Sequence, residues 1–167
     1  KLVAVVDSST TRHAELKANL EKRGVRWHDD FQKMLQDEAH LDAVAIATPI
    51  HLHERMTVAA MARGLFVYLE KPPVPLIQQL DNLMALDARG KVCVAFQGLR
   101  SVQSLQLKRW NLEGALGPVR SIRVCAAWPR PTQYYQRASW AGRMMVDNEP
   151  VFDGPATNAL AHQLNHI

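Results

Sequence analysis

The sequence predicts an α/β protein built on a parallel sheet. Three observations carry that expectation. Short apolar runs ending at polar residues alternate with helical patterns as far as Phe96. Glycines stand where helices should stop, at Gly24, Gly64 and Gly90. The stretch Leu65-Phe66-Val67-Tyr68-Leu69 runs apolar without alternation, as a strand buried on both faces does. Strands alternating with helices in this way make a parallel sheet joined by right-handed crossovers.

In chain order, Leu2 to Val6 is an apolar run ending at Asp7, and Ser8 to Thr11 offers helix N-caps. Ala14, Leu16 and Leu20 mark a modestly amphipathic helix over 12–23, closed by Gly24. Val25-Arg26-Trp27 is a short strand. Asp29 or Asp30 caps a helix over 31–36 with Phe31, Met34 and Leu35 on one face. A strand over 41–47 ends at Thr48-Pro49, and a helix over 53–63 stops at Gly64. The strand over 65–69 ends in Glu70-Lys71-Pro72-Pro73. A helix over 76–89 precedes Gly90 and a strand over 92–96.

The texture changes after Gly98. A helix is expected over 102–112, turns at Gly114 and Gly117-Pro118, and a longer half-exposed strand over 119–128. Residues 129–155 read as loop, and 157–167 as the start of another helix with Thr157 or Asn158 near its N-terminus. A domain change is placed after residue 100, within 100–117. The chain begins inside a strand and ends inside a helical pattern, so it is expected to be a piece of a longer one.

Composition narrows the class. Of 167 residues, 47% are hydrophobic and 22% charged, ordinary for a soluble globular protein. The net charge of +4 is scattered, without the Lys/Arg blocks of a nucleic-acid-binding protein. No apolar run approaches the roughly 18 residues of a membrane helix, and no stretch reads as a signal peptide. Cys93 and Cys125 sit in strand-like apolar runs and read as buried, reduced thiols of a cytoplasmic protein.

Chemistry gathers at strand ends, because ligands of an open parallel sheet bind beyond the carboxyl ends of its strands. Lys71 is delivered there as a cation or proton donor, with Glu70 to orient it; the same pair also suits an ordinary surface. Asp7 suits either a helix cap or the acid that bonds an adenosine ribose. No G-x-G-x-x-G occurs. A phosphate-binding loop belongs one strand and one helix upstream of Asp7. His51 and His53 flank the other strand end, too few for a zinc site. His162 and His166 have zincin spacing, but Gln163 stands where that motif needs Glu. With Asn158 they form a polar stripe that suits either the wall of a site or a solvent face, and reads as the former.

Val44-Ala45-Ile46-Ala47-Thr48-Pro49, then His53, Ala59-Ala60 and Gly64, then Leu69-Glu70-Lys71-Pro72, resembles the Gfo/Idh/MocA oxidoreductases, which include glucose–fructose oxidoreductase and inositol dehydrogenase. Trp140-Ala141-Gly142-Arg143 and Asn158 to His162 look like the early part of that family's second domain. The resemblance implies a Rossmann-like doubly wound parallel sheet over 1–100, lacking its first strand. Over 101–167 it implies the start of an α+β substrate and oligomerisation domain with an open, mainly antiparallel sheet. It implies hydride transfer between a nicotinamide cofactor, NAD rather than NADP, and a hydroxyl or ketone of a sugar- or cyclitol-like substrate. Homo-oligomers are expected, with neither nucleic acid nor membrane as partner.

By the same resemblance, Asp7 with Ser8 beside it corresponds to the ribose-binding acid. Thr48, Pro49 and His51 line the nicotinamide side, and Glu70 lies near its ribose. Lys71 hydrogen-bonds the reacting oxygen and His162 accepts the proton. The family usually places Asp four residues before that histidine, where this chain has Asn158. An amide holds the ring but cannot stabilise an imidazolium by charge. This leaves open a catalytically silent relative that binds a ligand or partner. A histidine metal site at His162 and His166 is the third alternative.

Overall fold

A computed structural model describes residues 1–9 and 11–165. Five parallel strands form two pieces of sheet. β1 (Ala4–Val6) pairs with β2 (Arg26–His28), joined by α1 (Ala14–Lys22). β3 (Ala43–Ile46), β4 (Phe66–Leu69) and β5 (Val92–Val94) lie side by side in that order. α2 (Phe31–Asp37) leads from β2 to β3, α3 (His53–Ala62) from β3 to β4, and α4 (Ile77–Leu86) from β4 to β5. No pairing joins β1 to β3 among the described residues. A doubly wound sheet has order 3-2-1-4-5-6, and an absent first strand would divide it at this place.

The element ends follow local chemistry. Asp30 caps α2 by accepting a hydrogen bond from the Lys33 amide at 2.8 Å. α3 stops because Gly64, at φ +71°, takes the left-handed conformation and donates to the Met61 carbonyl at 2.8 Å. Ser8, Ser9 and Thr11 do not cap α1. Its N-cap is His13, without a side-chain bond, and the Ser9 amide donates instead to Asp7. Thr10 lies outside the described residues.

One core fills the space between the sheet and α2 and α3: Met34, Leu35, Val44, Ile46, Ala60, Leu65, Val67 and Leu69, with Ala4 and Val6 packed against it. Here an expectation is corrected. The strand over 65–69 is not buried on both faces, since Phe66 is 56% and Tyr68 47% exposed. An unbroken apolar run records β-propensity as well as burial, and the described helices cover the Val67 and Leu69 face.

Beyond β5 the chain is more open. α5 (Val102–Leu112) forms as expected, capped by Ser101, but buries none of its residues. The strand expected over 119–128 does not form. The segment is exposed throughout and finds no strand to pair with among the described residues. Cys125 is therefore exposed and Cys93 only half-buried, against the expectation of two buried thiols. The expected loop contains a short helix, α6 (Thr132–Tyr135), and an antiparallel hairpin of β6 (Met145–Val146) and β7 (Glu149–Pro150). Positive φ at Asp147 and Asn148 gives that hairpin the tight turn such residues favour. The last expected helix is broken into a π turn over Pro155–Ala159 and a short α7 (Ala161–Leu164). No helix among the described residues is long and apolar enough to cross a membrane.

Candidate active site

The register of β3 against β4 sets the site. Ile46 pairs with Leu69, and the Glu70 amide donates to the Ile46 carbonyl at 2.8 Å. Thr48-Pro49 and Glu70-Lys71 therefore leave the sheet side by side. His53, at the start of α3 and almost fully buried, ties these two exits together. Its Nε2 is 2.8 Å from the Thr48 carbonyl, and its Nδ1 is 3.1 and 3.2 Å from those of Pro72 and Pro73. Burial lowers its pKa from the usual histidine value; the three carbonyls oppose the shift without overcoming it. A ring nitrogen donates to a carbonyl only when it carries the proton, and carbonyls stand at both nitrogens of this ring. His53 is thus a structural tie.

Lys71 reaches across to the later part of the chain. Its ammonium donates to Asn158 Oδ1 at 2.7 Å and to the Asn158 carbonyl at 3.1 Å. Asn158 Nδ2 donates in turn to Asp153 Oδ1. The other Asp153 oxygen accepts from the Gly142 amide at 2.8 Å and from Arg137 Nη2 at 3.2 Å. One hydrogen bond donated to a carboxylate and one accepted from an ammonium fix which way the amide of Asn158 points. Burial lowers the Lys71 pKa; Glu70 and Asp153 oppose that shift, and Arg130 adds to it.

The backbone supports this chain of contacts. Phe152 sits at φ +47°, strained for a bulky residue, immediately before Asp153. Gly142 has φ +71°, and a Cβ there would lie 2.5 Å from the Tyr135 ring. The acid is therefore aimed by two turns that few residues tolerate.

An open cleft of about 480 Å³ results, lined by Ala47, Thr48, Pro49, Glu70, Lys71, Tyr134, Arg137, Trp140 and Asn158. The structure thus gathers Thr48, Pro49, Glu70, Lys71 and Asn158 of the expected site. His162 does not line this cleft; its ring meets Phe96 edge-on at 5.7 Å, just past β5. The break between π turn and α7 removes the expected stripe of Asn158 and His162 on one regular helix, and His166 lies outside the described residues. Among the described residues no cluster of three His, Cys, Asp or Glu side chains suits a metal ion. His51 is half-buried, with Nδ1 unpartnered among the described residues. Burial lowers its pKa, as does Arg55, while Glu149 and Asp147 act the other way.

Asp7 and Ser8 lie at the end of β1, on the other piece of sheet. One Asp7 oxygen accepts from the Ser9 amide at 2.7 Å, and the second is 3.7 Å from His13 Nε2. A further hollow of about 500 Å³ runs along β2, lined by Trp27, His28 and Asp37 among others. It lies on the piece of sheet formed by β1 and β2, whereas Lys71 follows β4. Sequence reasoning missed Asp153, Arg137 and Arg130. The available signal was the alternation of aromatic residues and arginines along Trp128, Arg130, Tyr134, Arg137 and Trp140.

A family model described as an oxidoreductase family with an NAD-binding Rossmann fold, Gfo/Idh/MocA, matches residues 1–97. An inositol 2-dehydrogenase of Streptomyces avermitilis is 41% identical over 113 residues, covering 68% of this chain and 30% of that protein. Inositol 2-dehydrogenase 4 of Saccharopolyspora erythraea is 34% identical over 121 residues, covering 70% and 34% respectively. The crystal structure of the WlbA dehydrogenase from Chromobacterium violaceum, in complex with NADH and UDP-GlcNAcA, superposes with a TM-score of 0.82 at 26% identity. That match covers 99% of this chain and 46% of the other. The chain thus spans about a third of the length of these two curated relatives.

Proposed function

The chain belongs to the Gfo/Idh/MocA oxidoreductases, and from that premise we propose that the whole protein moves hydride between NAD and a hydroxyl or ketone of a polyhydroxylated, sugar- or cyclitol-like substrate. The observation that carries this reading is Lys71, held by Asn158 at the mouth of the cleft beside Thr48-Pro49 and Glu70. The relatives support it. Two are inositol 2-dehydrogenases, and the WlbA structure holds NADH and a sugar nucleotide.

The residues present suit a dinucleotide. The break in strand pairing between β1 and β3 corresponds to the place where strand order reverses, and dinucleotides bind outside such a point. Asp7 stands on one side of it with a carboxylate 40% exposed, available to ribose hydroxyls. That acid favours NAD, since it repels a 2′-phosphate. Thr48, Pro49 and His51 follow β3 on the other side, where they are proposed to border the nicotinamide, with Glu70 near its ribose. Bound there, NAD would supply the hydride acceptor.

Lys71 is proposed to donate a hydrogen bond to the reacting oxygen, stabilising the negative charge that grows there as its proton leaves. Its lowered pKa suits a group that passes a proton. Asn158 holds the ammonium in place, and Asp153 holds Asn158. The carboxylate missing at position 158 is thereby supplied one residue deeper, acting on Lys71 through the amide. His162, set outside the cleft lining against Phe96, is kept as the proposed proton acceptor on the family resemblance alone. Asn158 also favours a second reading, a silent relative that binds ligand without turnover, because its amide serves Lys71 and carries no charge for an imidazolium. A boundary near residue 100, homo-oligomers and a cytoplasmic location complete the proposal.

The test is titration of the full-length protein with NADH and NADPH, followed by nicotinamide fluorescence. NADH is expected to bind more tightly. Binding of neither overturns the dehydrogenase reading, and NADH binding without turnover of inositols or sugars favours the silent relative.

A further inference from the structure

The segment that closes the cleft carries a ladder of cations and rings. The Arg137 guanidinium lies 3.9 Å from the Tyr134 ring centroid and 4.8 Å from that of Trp140. The Arg130 guanidinium lies 4.1 Å from the same Tyr134 ring and 5.8 Å from Trp128. Stacking holds a guanidinium by its faces and leaves its N–H edges free to bond in their own plane. Arg137 spends those edges on the protein, donating to the Tyr134 carbonyl at 2.7 Å and to Asp153. Arg130 does not. Among the described residues it has neither a hydrogen bond nor a carboxylate partner, although it is half-buried. A cation rests over a ring that lines the cleft, with its donors unspent among the described residues.

The charges around it do not balance. Lys71, Arg130 and Arg137 are three cations, and Glu70 and Asp153 are the two carboxylates that act on Lys71 and Arg137. Asp147 and Glu149, the next acids along the chain, bear on His51 instead. One positive charge is left over, and it belongs to the group whose donors are free. We propose that the substrate of this cleft is an anion, a polyhydroxylated ring bearing a carboxylate or a phosphate, and that Arg130 binds that group. Arg130 is a specificity residue here. The inference rests on the reading of the cleft as a sugar- or cyclitol-oxidising site. The field of Arg130 at Lys71 has a further consequence: an anion on Arg130 would weaken that field and keep Lys71 protonated.

The test is calorimetric titration of the full-length protein loaded with NADH, at low ionic strength, with glucuronate, glucose 6-phosphate, glucose and myo-inositol. At least one anion is expected to bind roughly tenfold or more tighter than both neutral compounds, as one charge-assisted hydrogen bond provides. Glucuronate and glucose 6-phosphate separate carboxylate from phosphate. In Arg130→Ala the ratio between anion and neutral compound should fall to within about twofold, and in Arg130→Lys it should be partly kept; thermal melts confirm that both variants fold. Equal binding of all four compounds, binding of none, or a preference that survives Arg130→Ala overturns the inference. Separate outcomes bear on the underlying function. Turnover of inositol with no charge preference keeps the dehydrogenase and removes the anion. Arg130-dependent anion binding by a protein that binds no nicotinamide does the reverse.

Discussion

Lys71 and Asp153 are the two residues whose replacement separates chemistry from architecture. Lys71→Met removes the donor to the reacting oxygen and keeps an unbranched chain of similar length. Turnover should fall by roughly 10²–10⁴, the usual worth of a positioned acid or base, with NADH affinity within a few-fold of wild type. Initial rates at the nicotinamide absorbance and a fluorescence titration check both halves; surviving turnover takes Lys71 out of the chemistry. Asp153→Asn keeps the shape and removes the charge that holds Arg137, the Gly142 amide and Asn158. It should cost about 2 kcal/mol of stability, the range of a lost hydrogen bond to a charged group, read as a lower urea midpoint. It should also lower turnover, because Asn158 then no longer has one preferred orientation for Lys71. The sequence made Lys71 legible and hid Asp153. Lys71 follows a strand directly, and a strand end is a local feature. Asp153 reaches its partners only through the turn at Gly142 and the unusual φ of Phe152, which no pattern of residue types announces.

At the scale of elements, the parallel sheet was readable because each strand and helix up to β5 is bounded by its own neighbours, Asp30 and Gly64 being examples. The expected strand over 119–128 shows the limit. Alternation says which face a strand would bury, but a strand also needs a partner, and none among the described residues pairs with it. The last helix failed for a local reason that propensity does not record. Thr157 turns its hydroxyl back to the Phe152 carbonyl while also accepting from the Gly154 amide, and the Leu160 amide bonds back to Pro155 in a wide π turn. The tie between the exits of β3 and β4 predicts a pH dependence. The folded-state pKa of His53 lies below its unfolded value near 6.5. The unfolded chain therefore takes up the proton first, so His53 supports the fold fully above about pH 6.5 and progressively less as pH falls below it, until the folded pKa is passed. His51 shifts in the same direction. Urea midpoints measured from neutral to mildly acidic pH should fall, and His53→Gln, which cannot titrate, should make that fall shallower. An unchanged slope in the variant would assign the effect to His51 or to carboxylates.

The whole molecule divides into parts of unequal support. β4 is paired on both sides over three or four residues, and its buried face supplies Val67 and Leu69 to the main core. Among the described residues β1 and β2 pair only with each other, over three residues, and a two-stranded ribbon is marginal by itself. What secures that ribbon is Ala4 and Val6 packing against the core, the passage of α2 beside it, and Glu38, a buried carboxylate bonded to His28 at 2.9 Å and to Arg26. The side of β1 away from β2 has no strand bonded to it among the described residues. Opening β1 and β2 therefore exposes little of the core, whereas opening β4 exposes most of it, and local opening free energies follow the surface each opening uncovers. Native-state hydrogen exchange of this 167-residue chain should show amides of Val5 and Trp27 exchanging through a local opening, at lower free energy than those of Val67 and Leu69. The β4 amides should track global unfolding and shift with added urea, while the β1–β2 amides should hardly respond until the two curves meet. Equal protection of both pieces would mean that the sheet opens as one unit, its two parts coupled through the core more strongly than their pairing implies.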